Sequence, residues 1–369
     1  MSAALDFREI STAFAKAAVD PSQWGAAMDV AEAVTGSAGA LLFDLNGHLP
    51  RIPHSRSTVG SFEAYVRDGW IHRDERYRLI PFLRRKGVTT DLDIFTSEEI
   101  DRHPYYQEFL AHFDLRWYAG VKVAAGEDTW CLSLQRSIKQ GPFRPEELAA
   151  LANLSRKLGS FAALSRTLGF ARIEATIEAF DASVTPVIMI DRNGRAIRLN
   201  RSAELSLGQH LRISNQRLVA RDRAAAAALD RSLHILIRSR DSGCSVPPVA
   251  IPRIGQRPLL AYMLRLPALS PNALAPCQAT IMLVDPDLRR QPPEITLRAC
   301  FGLTSSEAKL ACLISLGETV ERSADQLGVC YETARNHLKA IFAKTDTHRQ
   351  GELVSMLAKM ATGPSAEKL

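Results

Sequence analysis

The sequence predicts an α+β chain in three parts: two units mixing helices with strands, then an all-α unit of four helices. Three observations predict it. Before residue 286, short strand-like apolar runs alternate with stretches of helical periodicity. A charged, proline-rich stretch, 286–300, then reads as a linker. From Leu303 to Leu357 the apolar residues recur at helical spacing, punctuated by Gly317 and Gly328.

That last stretch is the most informative. Thr304 followed by Glu307 forms a capping box, and Leu310, Leu313 and Ile314 continue a first helix that Gly317 suits as a left-handed stop. A second short helix spans about Val320 to Leu327, closed by Gly328. A third opens near Tyr331 and places Ala334, Leu338, Ile341 and Phe342 on one apolar face. Its opposite face gathers Glu332, Arg335, Asn336, Lys339 and Ala343. Arg pairs with guanine edges through two donors, Asn can pair bidentately with adenine, and Lys reaches guanine or phosphate. Two short helices, a tight glycine turn and such a face describe a helix-turn-helix. A charged face alone usually means a solvated helix, but that reading does not require the preceding pair of short helices.

The markers Leu303-Thr304-x-x-Glu307, Gly317, Ala324, Leu327-Gly328-Val329, Thr333-x-Arg335-x-His337, Lys344 and Arg349-Gln350-x-Glu352-Leu353 closely resemble a LuxR-type (GerE-like) DNA-binding domain over residues 301–362. The resemblance implies a four-helix unit whose third helix enters the major groove of double-stranded DNA. It further implies that Arg335, Asn336 and Lys339 face bases, and that Thr333 and Lys344 face flanking groups or phosphates. Ser323, Ala334 and Cys330 depart from the family pattern, which usually has Ile, Val and Ser there. The first two lower apolar burial.

Composition bounds the remaining possibilities. Apolar content of 46% and charged content of 23% over 369 residues are globular values sufficient for several cores. No apolar run is long enough to span a membrane, and the start of the chain lacks a secretory pattern, so a cytoplasmic location is expected. The six cysteines show no C-x-x-C and no histidine at finger spacing, so no metal site is expected. Net charge is +6, yet residues 301–369 carry eight basic and eight acidic groups. Much of the surplus lies among arginines between Arg192 and Arg240, so the arrangement of Arg335, Lys339 and Lys344 says more than the total.

The first unit is read as 1–168. Residues 5–35 predict two helices, the second opened by Pro21 and followed by Gly36. Ala40 to Leu45 is a short strand ending in the hairpin signal Asn46-Gly47. Helical patterns follow at Phe62–Trp70 and Glu75–Arg85, and the capping box Thr96-x-x-Glu99 opens a helix towards Phe113. Trp117–Val123 and Thr129–Gln135 read as paired strands, the second alternating Trp130, Leu132, Leu134 against Cys131, Ser133, Gln135. A long helix begins at Pro145, its Leu151, Leu154, Leu158, Phe161 and Leu168 near heptad positions, and Gly169 is expected to end it. The order resembles a GAF-like sensor. Acyl-homoserine-lactone receptors offer a second resemblance through the separation of Tyr65 and Asp74. Ser61 replaces their Trp and Glu75 their Pro, so the ligand is not carried over. The four tryptophans (Trp24, Trp70, Trp117, Trp130) are read as aromatic core rather than a ligand cage.

The second unit is read as 173–285. Thr185–Asp191 forms a strand, Asn193-Gly194 a turn and Ala196–Asn200 its partner, followed by helix around Ala224–Ala228 and strands at Leu259–Leu266 and Ala279–Val284. This resembles a PAS domain without its flavin-binding signature. His210 or His234 could ligate haem, but a lone histidine is more often a structural residue, so no cofactor is expected.

Neither G-x-S-x-G, a phosphate-cradling loop nor H-E-x-x-H occurs, and Asp181, Asp191 and Asp241 are isolated, so the chain is not expected to be an enzyme. Asp44 alone does not supply a phosphoacceptor site of the response-regulator kind. The expectation is α+β sensory domains, GAF-like then PAS-like, followed by an all-α four-helix LuxR-type helix-turn-helix domain: a one-component transcription regulator. Its expected partners are DNA, a small-molecule ligand, RNA polymerase and a second copy of itself, paired through the last-helix stripe Leu353, Leu357, Met360 behind a Thr347-x-x-Gln350 cap. The alternatives are a receptor for an acyl-homoserine-lactone-like ligand, or a redox regulator acting through Cys330 at a helix N-terminus.

Overall fold

The structure, a computed structural model, describes residues 7–45, 51–125, 128–239, 241, 243–272, 274–288 and 291–361; the Asn46-Gly47 hairpin signal lies outside them. The strands in chain order are β1 Gly39–Asp44, β2 Val88–Thr90, β3 Leu115–Ala125, β4 Asp128–Ser137, β5 Val187–Ile190, β6 Ala196–Leu199, β7 Leu211–Ser214, β8 Arg217–Ala220, β9 Val249–Arg253, β10 Gln256–Leu264 and β11 Ala279–Val284. Among the described residues they form a four-stranded sheet ordered β1-β4-β3-β2, a five-stranded sheet ordered β6-β5-β11-β10-β9, and a ribbon of β7 and β8. The whole is a mixed helix-and-sheet chain, as its sequence predicts. Sequence periodicity missed the ribbon and β9, strands too short or too polar to alternate visibly.

In the first sheet, strand alternation separates two environments. Leu42, Val121, Trp130, Leu132 and Leu134 point into a core closed by the helices Arg8–Val19 and Trp24–Thr35 and by a helix from Pro145. Trp24 and Trp130 meet edge to face at 5.9 Å in that core. Leu41, Phe43, Tyr118, Ser133 and Gln135 point the other way, towards the residues between β1 and β3.

Between β1 and β3 the chain is less regular than periodicity implies. The Thr96/Glu99 capping box forms, but its helix lasts only Ser97–Ile100. Pro104, which cannot continue the helical ladder, separates it from a π-helical turn, Tyr105–Leu110, and a 3₁₀ turn to Phe113.

The helix from Pro145 does not stop at Gly169; it runs unbroken to Ala182. Tertiary packing explains the glycine: a Cβ there would meet Pro276 Cδ at 2.8 Å. The helix thus covers the first sheet with Leu151, Leu154 and Leu158 and the second with Ile173 and Ile177, so the second unit has no clean start at residue 173. In the second sheet β5 is buried on both faces, Ile188 and Ile190 on one side and Val187 and Met189 on the other. That explains its unbroken apolar run. Helix Arg223–Arg238 packs on the first of these faces.

The two sheets are joined by more than the long helix. Leu41 and Ile52 sit in the core of the second sheet, and Leu274 in that of the first. Arg192 Nη2 lies 2.7 Å from Asp44 and 3.1 Å from Asp128. Arg51 donates to Gln278 Oε1 at 2.6 Å and to the Ser270 carbonyl at 2.9 Å.

From Pro293 onward the chain is helical: Glu294–Phe301, Ser305–Ser315, Val320–Leu327, Tyr331–Thr345 and Gln350–Met360. The first lies inside the stretch read as linker, and its Leu297 is fully buried in this third core. Among the described residues no helix is long and apolar enough to cross a membrane.

Candidate functional sites: a cavity beside the first sheet and an exposed helix face

The polar side of the first sheet faces a cavity of about 530 Å³. Most of its wall is apolar, with Phe62, Val66, Leu79, Ile80, Leu83 and Phe109 prominent, and a few polar groups converge on it. This is the composition of a small-molecule site.

Asp74 anchors the polar part. It precedes the 3₁₀ turn Glu75–Leu79, where its Oδ1 accepts the Arg76 amide at 2.8 Å. Its Oδ2 accepts the Tyr65 hydroxyl, also at 2.8 Å. Tyr65 comes from helix Val59–Arg67, so the turn and the helix are tied across the cavity wall. Burial pushes the Asp74 carboxyl above its usual range, against the pull of the Arg76 charge and the two hydrogen bonds. Burial and the adjacent carboxylate likewise push the Tyr65 phenol up, so it stays a neutral donor.

Behind this pair the Arg76 guanidinium is spent on Asp91, with Nε 2.9 Å and Nη2 3.1 Å from its two oxygens. Tyr106 donates to the same Asp91 at 2.8 Å, and the guanidinium lies over the Tyr118 ring, 4.6 Å from its centroid. Arg76 and Asp91 are almost fully buried as a fork-to-fork pair. The pair braces the floor, with Arg76 Nη1 also 3.4 Å from Gln135 Oε1, and leaves Asp74, Tyr65 and Ser133 on the cavity wall.

The structure therefore joins Tyr65 to Asp74, whose spacing the sequence singled out, and puts Ser61 on the same wall. None of the four tryptophans lines the cavity; Trp70 stacks on Phe109 at 5.5 Å from behind. Sequence reasoning missed Ser133, Gln135 and the Arg76–Asp91 brace. The polar half of the β4 alternation was the available signal for Ser133 and Gln135. His234, read as structural, also lines the cavity together with Arg238.

The second candidate is the face of helix Tyr331–Thr345. Ala334, Leu338 and Ile341 are buried, while Arg335, Asn336 and Lys339 stand exposed on the opposite side. Gly328, at φ +67°, makes the left-handed turn into that helix from Val320–Leu327. Arg335 lies 3.9 Å from Glu332 one turn earlier, a loose surface pair. Thr333 is half-buried, its hydroxyl 3.1 Å from Cys330 Sγ.

Lys344 behaves differently. Its ammonium donates to Glu307 at 2.7 Å and to the Gly302 carbonyl at 3.1 Å, so it is committed to its own fold. The Thr304/Glu307 capping box forms with both bonds, and Lys344 completes it.

Cys330 occupies the N-cap without capping. The hydrogen bond with the Thr333 hydroxyl holds the thiol below its usual range. The last helix departs from expectation: Thr347 bonds Thr345 rather than capping it, and Leu353 and Leu357 are fully buried in their own core. Met360 is the half-buried member of that stripe. Among the described residues no group of three or more His, Cys, Asp or Glu is placed to hold a metal ion.

No protein-family model matches the chain, and no curated protein matches it. Among solved structures it is similar to the ligand-binding domain of VqsR from Pseudomonas aeruginosa, at 21% identity, over 43% of this chain and 95% of that one, with a TM-score of 0.32. It is similar to the phage VqmA–DPO complex at 15% identity over 54% of this chain and 94% of that one, TM-score 0.24. A third similarity is to the Escherichia coli DhaR(N)–DhaL complex, at 12% identity over 74% of this chain and 85% of that one, TM-score 0.24.

Proposed function

We propose that the chain is a one-component, ligand-responsive transcription regulator. Two units over residues 1–285, GAF-like and then PAS-like, sense a small molecule, and a LuxR-type helix-turn-helix over 301–362 binds double-stranded DNA. The observation that carries the DNA reading is the division of helix Tyr331–Thr345 into a buried apolar side and an exposed row of Arg335, Asn336 and Lys339. Those three residue types suit base edges in the major groove. One such helix reads few base pairs, so the protein acts as a homodimer on paired half-sites, with RNA polymerase as its downstream partner.

The cavity supports the sensory half. Its apolar wall with a few polar groups, Asp74, Tyr65, Ser133 and Gln135, fits an apolar-bodied small molecule carrying one or two polar groups. Selection of bound duplexes from a random pool by the full chain tests the DNA reading. Arg335→Ala and Asn336→Ala are each expected to lose about 1–3 kcal/mol on the selected site and little on random duplex. Uniform loss on both duplexes, or no selected site at all, refutes the groove-facing assignment.

A further inference from the structure

The cavity is not walled by the first unit alone. His234 and Arg238, one turn apart on helix Arg223–Arg238, line it from the second unit. The same helix buries Leu233, Leu236 and Ile237 in a core that also contains Leu41 and Ile52. Leu41 and Ile52 line the cavity too. Cavity wall and seam between the units are therefore made in part of the same side chains.

We infer that the occupant of this cavity is read directly by the second unit, through His234 and Arg238, and acts as a filler between the two units. This inference rests on the cavity being a ligand site. A ligand shifts an arrangement of units only as far as its contacts differ between the alternatives. One enclosed by the first unit alone has to work through the wall. One touching helix Arg223–Arg238 gains or loses contacts directly when that helix moves.

The rest of the seam is held without a ligand. Arg192 pairs with Asp44 and Asp128, and Arg51 with Gln278 and the Ser270 carbonyl. Motion of the helix end is then a local adjustment about a fixed joint. The chemistry at this wall also narrows the occupant. His234 and Arg238 are exposed basic side chains on the lining, so they favour a hydrogen-bond acceptor or an anionic oxygen there. Asp74 and Tyr65 serve the remaining polar part. The class is an apolar-bodied amphiphile with a carbonyl, hydroxyl or carboxylate oxygen turned towards the second unit.

Hydrogen exchange of the full chain with and without dodecanoate tests this. Slowed exchange is expected in Val59–Arg67 and Tyr105–Leu110 and also in Arg223–Arg238. Slowing confined to the first two segments overturns the inference and leaves the cavity reading standing. No slowing anywhere, or slowing that survives the cavity-filling Val66→Trp, overturns the cavity reading and the inference with it.

The paired variant His234→Ala/Arg238→Ala supplies an independent arm. Both side chains are exposed, so the helix keeps its buried face. Dodecanoate affinity is expected to fall roughly tenfold, with slowing lost in Arg223–Arg238 and retained in the first unit. Affinity and slowing equal to the parent's overturn the inference.

Discussion

Lys344 Nζ lies 2.7 Å from Glu307 Oε2, and this contact joins helix Tyr331–Thr345 to the capping box of helix Ser305–Ser315. The resemblance to DNA-binding domains implies that Lys344 faces flanking groups or phosphate. Its geometry assigns it first to the fold, since the ammonium also closes on the Gly302 carbonyl.

Lys344→Met is accordingly expected to destabilise the C-terminal helices by about 1–2 kcal/mol at neutral pH. Burial works to raise the Glu307 carboxyl, but the bonds from Lys344 and Thr304 hold it below its usual value. A depressed carboxyl contributes stability above its unfolded value, near pH 4, and loses it as pH falls through the lower native value. The gap between parent and variant should therefore be widest near neutrality and close in acid. Urea melts at the two pH values check this. A gap that does not narrow in acid speaks against the pair.

Tyr65→Phe removes a donor from Asp74 and is expected to cost about 1–2 kcal/mol at neutral pH. The carboxyl's own linkage has the opposite sign to that of Glu307, although the gap between parent and variant moves in the same direction. Asp74 is raised by burial, so its contribution is fully present below the unfolded carboxyl value and declines as pH rises through its native value. The variant raises that native value further. Its deficit should shrink in acid, where Asp74 is neutral in either protein. The pH-dependent melting temperatures of the two proteins provide the measurement.

Ser323 is fully buried and its hydroxyl finds no partner. Ser323→Ala removes an unsatisfied polar group at almost no change in volume, and a gain of about 1 kcal/mol is expected in denaturant melts. An unchanged or lower midpoint contradicts the burial of an unpaired hydroxyl.

Gly169→Ala sets two effects against each other. Alanine inside a helix gains about 1 kcal/mol over glycine. Here the new Cβ meets Pro276 at 2.8 Å, and crowding of a packed site costs about 1–3 kcal/mol. Net destabilisation is expected in a thermal melt. Stabilisation means the loop carrying Pro276 yields.

The sequence by itself determined what depends on neighbours in the chain. The capping boxes Thr96/Glu99 and Thr304/Glu307, the left-handed Gly328 and the two-sided helix Tyr331–Thr345 are all present as read. Local hydrogen bonds and 3.6-residue periodicity act within a few residues and leave a direct trace in sequence. Tyr65 and Asp74 were legible as a spacing, not as the 2.8 Å bond they make.

Only the tertiary structure decided which of two faces meets what. It ran one helix through Gly169 because Pro276 lies against it, and buried Leu353 and Leu357 in their own core. It bound Lys344 to a carboxylate 37 residues earlier in the chain and brought His234 to a cavity built by residues before 136. These contacts join residues far apart in sequence. Periodicity reports that a face is apolar or charged, but the partner that covers it is fixed only when the separate elements pack.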